Sequence, residues 1–133
     1  MRRLQVYTSL WAMQPHDQTG ISLPHDQVCE VVAAARPHMD ANGLTPLIVA
    51  FPKTIDSLED TLHMAADFAA PFVDVIGQVM PIAIDDMVPV IETWMGMSER
   101  IGVPIQFETH RNCITNDHYV TQHLLDRIPQ MRI

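Results

Sequence analysis

The stretch that decides the fold is FVDVIGQVMPIAIDDMVPVIETWMGMSERIGVPIQF, residues 72–107. It opens on one apolar run, Phe72 to Val79, and closes on another, Pro104 to Phe107, each rich in Val, Ile or Phe and bounded by Gly or Pro. Runs of that length and composition read as strands buried on both faces. Between them Ile84, Met87, Val88, Ile91, Trp94, Met95 and Ile101 line one side of a helix, and Gly102 supplies its stop. Strand, helix, strand at this rhythm demands a right-handed crossover between parallel strands, so the class is α/β.

The same alternation extends outward. Upstream, Pro46 to Phe51 reads as a strand, and Leu58, Leu62, Ala65, Ala66 and Ala69 as a helix after a predicted N-cap at Thr54. A further helix from Gln27 to Asn42 stops at Gly43, with Pro37 as its predicted kink or break. Downstream, Val120, Leu124, Leu125 and Ile128 set a helix from Asp117 to Ile128 that Pro129 ends. At the start, Leu4 to Trp11 and Gly20 to Leu23 read as two strands. The residues between these two are too few for a crossover of about a dozen, so the first crossover helix is expected to be missing. No glycine-rich phosphate fingerprint follows Leu4 to Trp11, which disfavours a dinucleotide-binding open sheet. Units recurring about every 30 residues suit a closed barrel of eight. The expected architecture is therefore a partial (β/α)8 TIM barrel over 1–133, one incomplete domain of about five parallel strands with outer helices.

A chain of 133 residues with 47% hydrophobic content can build a real core. No window approaches the roughly 20 apolar residues of a membrane span, and Met1-Arg2-Arg3 leads into a mixed pattern unlike a signal peptide. A cytoplasmic location is expected. Net charge is −8 and Lys53 is the only lysine, so the cationic surface that nucleic acid requires is missing. Cys29 and Cys113 are far apart and lack paired-ligand spacing, which argues for free thiols.

In such a barrel chemistry sits where strands end, so the polar residues that close each apolar run carry the information. These are Lys53 after the third run, Gln78 at the end of the fourth, and Glu108-Thr109-His110-Arg111-Asn112 after the fifth. Trp11 closes the first strand. In extended chain Gln106, Glu108 and His110 share a side, with Arg111 at the tip. A carboxylate suits a hard cation, an imidazole can ligate or move a proton, and a guanidinium can clamp a phosphate or carboxylate. From spacing alone the plainer reading, an ion pair between Glu108 and Arg111, is the stronger.

Resemblance shifts that balance. The stretch Phe107-Glu108-Thr109-His110-Arg111-Asn112, then Thr115-Asn116-Asp117 and Leu124-Leu125-Asp126-Arg127-Ile128-Pro129, resembles the fifth strand and following helix of xylose-isomerase-like proteins, the sugar phosphate isomerase/epimerase family. The opening Leu4 to Met13 and Ala50-Phe51-Pro52-Lys53-Thr54 are similar to the same group. The resemblance implies a metal-dependent isomerase or epimerase of a small carbohydrate-like substrate, with Glu108 as ligand to a divalent ion (Mn, Mg, Co or Zn). From residue chemistry, His110 is the catalytic candidate and Arg111, Gln78, Lys53 and Trp11 are the substrate-binding candidates; the plainer readings are a solvated loop lysine at Lys53 and a Gln78 that satisfies backbone at a strand end. The family's remaining ligands lie on strands six to eight, which would begin at Met131-Arg132-Ile133, so the chain is expected to hold a truncated and inactive barrel. The competing expectation is a non-catalytic half-barrel fragment that acts only in assembly or has no independent function.

An unclosed barrel leaves parallel strand edges with exposed backbone donors and acceptors, and these invite self-association. Sedimentation at micromolar concentration is expected to show dimers or larger species, and a monodisperse monomer would overturn that account of the edges.

Overall fold

The computed structural model describes residues 2–7 and 25–133. Among them lie four strands, β1 (Arg2–Tyr7), β2 (Leu44–Ala50), β3 (Val73–Val75) and β4 (Ile105–Phe107), and four helices, α1 (His25–Ala41), α2 (Ser57–Asp67), α3 (Ile84–Ile101) and α4 (His118–Arg127). The strands form one sheet in the order β1-β2-β3-β4, and each neighbouring pair is parallel. Right-handed crossovers are the rule for parallel strands, and α2 and α3 both pack on the core face of the sheet. No described helix is long and apolar enough to cross a membrane.

The first crossover corrects the sequence expectation. β1 and β2 are hydrogen-bonded neighbours from Arg2↔Leu44 to Tyr7↔Val49, which leaves no place for a strand between them. The connecting helix is α1, whose 17 residues meet the length a parallel connection needs. The helix expected from Gln27 to Asn42 thus serves as the first crossover, and the described sheet has four strands where about five were expected. The proposed strand at Gly20 to Leu23, and Thr8 to Trp11 of the first, lie outside the described residues.

One face of the sheet carries the main core. Ile48, Ala50, Val73, Val75, Ile105 and Phe107 alternate along β2, β3 and β4 and are buried together with Leu58 and Leu62 of α2, Ile91 and Trp94 of α3, and Leu124 of α4. This period-two pattern explains why Asp74 and Gln106, one residue out of phase, sit half-buried on the other face. There they satisfy each other, Gln106 Nε2 donating to Asp74 Oδ1 at 2.6 Å. Further along that face Val49, Phe51, Ile76 and Cys113 make a second, smaller buried cluster.

α3 is the helix that ties these parts together. Asp85 and Asp86 lie in its first turn and Arg100 in its last, as the helix dipole favours. Gly102 ends it in the left-handed region at φ 84°, a conformation that costs a side-chain residue energy. The Gly102 and Val103 N–H groups both donate to Ser98 O, and Ser98 Oγ donates back to Val103 O at 2.7 Å. This lock sets the entry of β4.

Two local expectations change. Thr54 is not the N-cap of α2. Asp56 occupies that position, while Ser57 Oγ accepts from Thr54 N–H and donates to Thr54 O, so the Thr54 turn precedes the helix. α1 runs through Pro37 as one helix from His25 to Ala41, without the predicted break. Asp117 does cap α4, its carboxylate accepting from the Tyr119 and Val120 N–H groups.

Trp94 is fully buried. Its ring stacks on Phe107 at 6.2 Å between centroids, and its Nε1 donates to Ile55 O at 2.9 Å. A Cβ placed on Gly77 would meet that ring at 2.6 Å, so no larger residue fits there without displacing the indole. Trp94→Ala is expected to cost about 3–5 kcal/mol and Gly77→Ala about 1–3 kcal/mol, read by denaturant unfolding. A Gly77→Ala protein of unchanged stability would mean that the indole can move freely, contrary to this packing.

Candidate functional site

The site expected from sequence lies along the C-terminal ends of β2, β3 and β4, and backbone bonds join these ends into one rim. Ile76 N–H donates to Ala50 O and Gln78 N–H to Pro52 O, which fastens the segment after β3 to the segment after β2. Glu108 N–H donates to Val75 O, and Ile114 N–H to Gly77 O at 2.7 Å, which fastens the segment after β4 to that after β3. Lys53, Gln78 and Glu108 to Arg111 are therefore held in sequence along a continuous hydrogen-bonded border. β3 is shorter than the Phe72 to Val79 run because Gly77 and Gln78 serve this border.

After β4 the chain folds into a hook from Glu108 to Thr115. Asn112 takes a left-handed conformation at φ 57°, which Asn tolerates better than most residues. Cys113 and Thr115 are buried beneath the hook. Thr115 Oγ1 donates to Glu108 O at 2.8 Å. The Cys113 thiol donates to His110 O at 2.7 Å, and its sulfur accepts from His110 N–H at 3.3 Å. His110 and Arg111 are exposed above, Glu108 is half-buried, and His110 Nδ1 lies 2.8 Å from Arg111 O.

The predicted residues are thus gathered in part. Glu108, His110 and Arg111 share the hook, Gln78 sits half-buried on the adjoining segment, and Lys53 is exposed on the next. Trp11 lies outside the described residues. The plain alternative, an ion pair between Glu108 and Arg111, does not form among the described residues, whose side-chain ion pairs are Arg36–Asp40, Arg100–Glu59 and Arg127–Asp85.

The donors around the hook are too few for a metal. The hook offers one carboxylate and one imidazole, and no group of three or more His, Cys, Asp or Glu side chains gathers anywhere among the described residues. Two donors leave a hard cation largely hydrated, so these residues do not make a metal site by themselves. A cavity of about 410 Å³ lies elsewhere, lined by Met95, Glu99, Pro104, Ile105, Gln130 and Arg132 among others, and includes none of the described site candidates.

Sequence reasoning missed Cys113, Thr115 and Gly77. Cys113 was read only as a free thiol, which it is, and its contacts with His110 depend on a turn whose sole sequence signal is Asn112. No family model, curated protein or solved structure matches the chain.

Calorimetric titration of this chain with Mn²⁺ is expected to give a dissociation constant weaker than about 10⁻⁴ M. Micromolar binding that Glu108→Gln abolishes would mean that a fuller donor set exists around the hook.

Proposed function

We propose that the protein is a sugar or sugar phosphate isomerase/epimerase of the xylose-isomerase-like type, on a (β/α) barrel of which these strands and helices are a part. The observation that carries the reading is the meeting of Glu108, His110 and Arg111 on one hook at the C-terminal end of a parallel strand, the end where barrel enzymes keep their chemistry. A strand order without reversal supports a barrel over a doubly wound sheet, whose ligand crevice needs a reversal.

In this reading His110 takes a proton from the carbon beside a carbonyl and returns it to the same face of the neighbouring carbon, while the hydroxyl proton passes from one substrate oxygen to the other. Arg111, with two guanidinium N–H groups, clamps an anionic group such as a phosphate, and Lys53 adds charge to the same border. Gln78 hydrogen-bonds a substrate hydroxyl. Glu108 is assigned one ligand position on a divalent ion, with further donors supplied from outside the described residues. The shortage of donors favours a second reading, a barrel segment that serves assembly without catalysis.

Incubation in D₂O with ketose and aldose phosphates and Mn²⁺ separates the two. Deuterium is expected to enter the substrate beside its carbonyl, and His110→Asn is expected to slow that exchange by about 10²–10⁴-fold. No exchange with any sugar tried, or exchange indifferent to His110, would leave the assembly reading in possession.

A further inference from the structure

The hook contains a fastening that the proposed chemistry does not by itself require. His110 Nδ1 lies 2.8 Å from Arg111 O, and a carbonyl oxygen can only accept, so the proton of that bond belongs to Nδ1. The neutral ring then carries its lone pair on Nε2. Free imidazole side chains in water favour the opposite tautomer, with the proton on Nε2, so the protein has to hold Arg111 O against the ring to reverse the preference.

What holds it is the turn beneath. The two backbone groups of His110 are both engaged by one atom, Cys113 Sγ, which accepts from His110 N–H at 3.3 Å and donates to His110 O at 2.7 Å. Sγ also lies 3.3 Å from Thr115 Oγ1, which is itself fixed to Glu108 O. Asn112 in the left-handed region then directs the chain back to Cys113 and sets the direction of the Arg111 carbonyl. Cys113 is 1% exposed and belongs to the buried cluster with Val49, Phe51 and Ile76, so the fastening is anchored in packed core.

We infer that Cys113 is a positioning residue, which holds the His110 turn so that His110 is presented as the Nδ1–H tautomer with an unprotonated Nε2. The inference deepens the reading of His110 as proton carrier and rests on the hook being the site. It assigns the proton-accepting atom to Nε2 and explains why a buried thiol lies under an exposed histidine. The tautomer also suits an Nε2 lone pair offered to any other electrophile, so it does not depend on the identity of the substrate.

Long-range ¹H–¹⁵N correlation spectra of the chain, recorded with His110 in its neutral form, test the assignment. Nδ1 is expected to be the protonated nitrogen of the major species, and the His110 amide is expected to exchange with solvent more slowly than that of the exposed Arg111. Cys113→Ser keeps a donor and an acceptor and is expected to retain the tautomer. Cys113→Val keeps bulk without either and is expected to turn the Nδ1–H form from major to minor species. Predominant Nε2 protonation in the unaltered protein, an unprotected His110 amide, or a Cys113→Val protein with unchanged tautomer would each overturn the inference. The unaltered protein decides the first two points even if Cys113→Val does not fold. A protein with the Nδ1–H tautomer but no sugar deuteration keeps this inference and sinks the enzyme reading. An active protein with His110 protonated on Nε2 does the reverse.

Discussion

The packing of one indole organises the described structure. Trp94 projects from the middle of α3 into the space between helices and sheet, where it stacks on Phe107 of β4, touches Gly77 after β3, and donates to Ile55 O before α2. Three successive crossover units therefore meet on a single side chain. Burying an aromatic of this size also supplies a large share of the apolar area available to a small core, and its polar nitrogen would be costly to bury without the Ile55 carbonyl. The absence of a side chain at Gly77 is the counterpart of that bulk.

From this contact the border of the sheet inherits its shape. Gly77, held under the indole, presents its carbonyl to Ile114 N–H, and Ile114 in turn closes the hook that carries His110 and Arg111. The opposite face of the sheet closes differently, with the Asp74–Gln106 bond in the middle and the Val49, Phe51, Ile76 and Cys113 cluster nearer the border. Polar and apolar layers on that face thus follow each other along the strands. Cys113 belongs to both the apolar layer and the hook.

The sequence was legible where periodicity and punctuation agree. Residues 72–107 announce strand, helix and strand because Ile91 and Trp94 fall on one helical stripe and Gly102 sits one residue beyond it. The last helix was equally plain, its start being read at Asp117, which caps it. Thr54 misled because a threonine before a helical pattern satisfies the local rule, yet Ser57 bonds to the Thr54 backbone and moves the start to Asp56. The early chain misled for a different reason: the order of strands in a sheet is not written in local periodicity, and only the pairing of β1 with β2 reveals that they are direct neighbours. At the site, residue types at strand ends were readable from the alternation. The hook was not, since it depends on a left-handed Asn112 and on a thiol bonded to the backbone three residues earlier.

The return of the chain to the sheet after α4 has a further meaning. Phe107 N–H donates to Arg132 O at 2.9 Å, and Met131 is buried beside it. Phe107 therefore belongs to three associations at once, with its ring on Trp94, its register partner Val75 on one side and Arg132 on the other. A residue so engaged works as a rivet: through its ring and its amide, the sheet, the indole and the segment after α4 are fastened at one point.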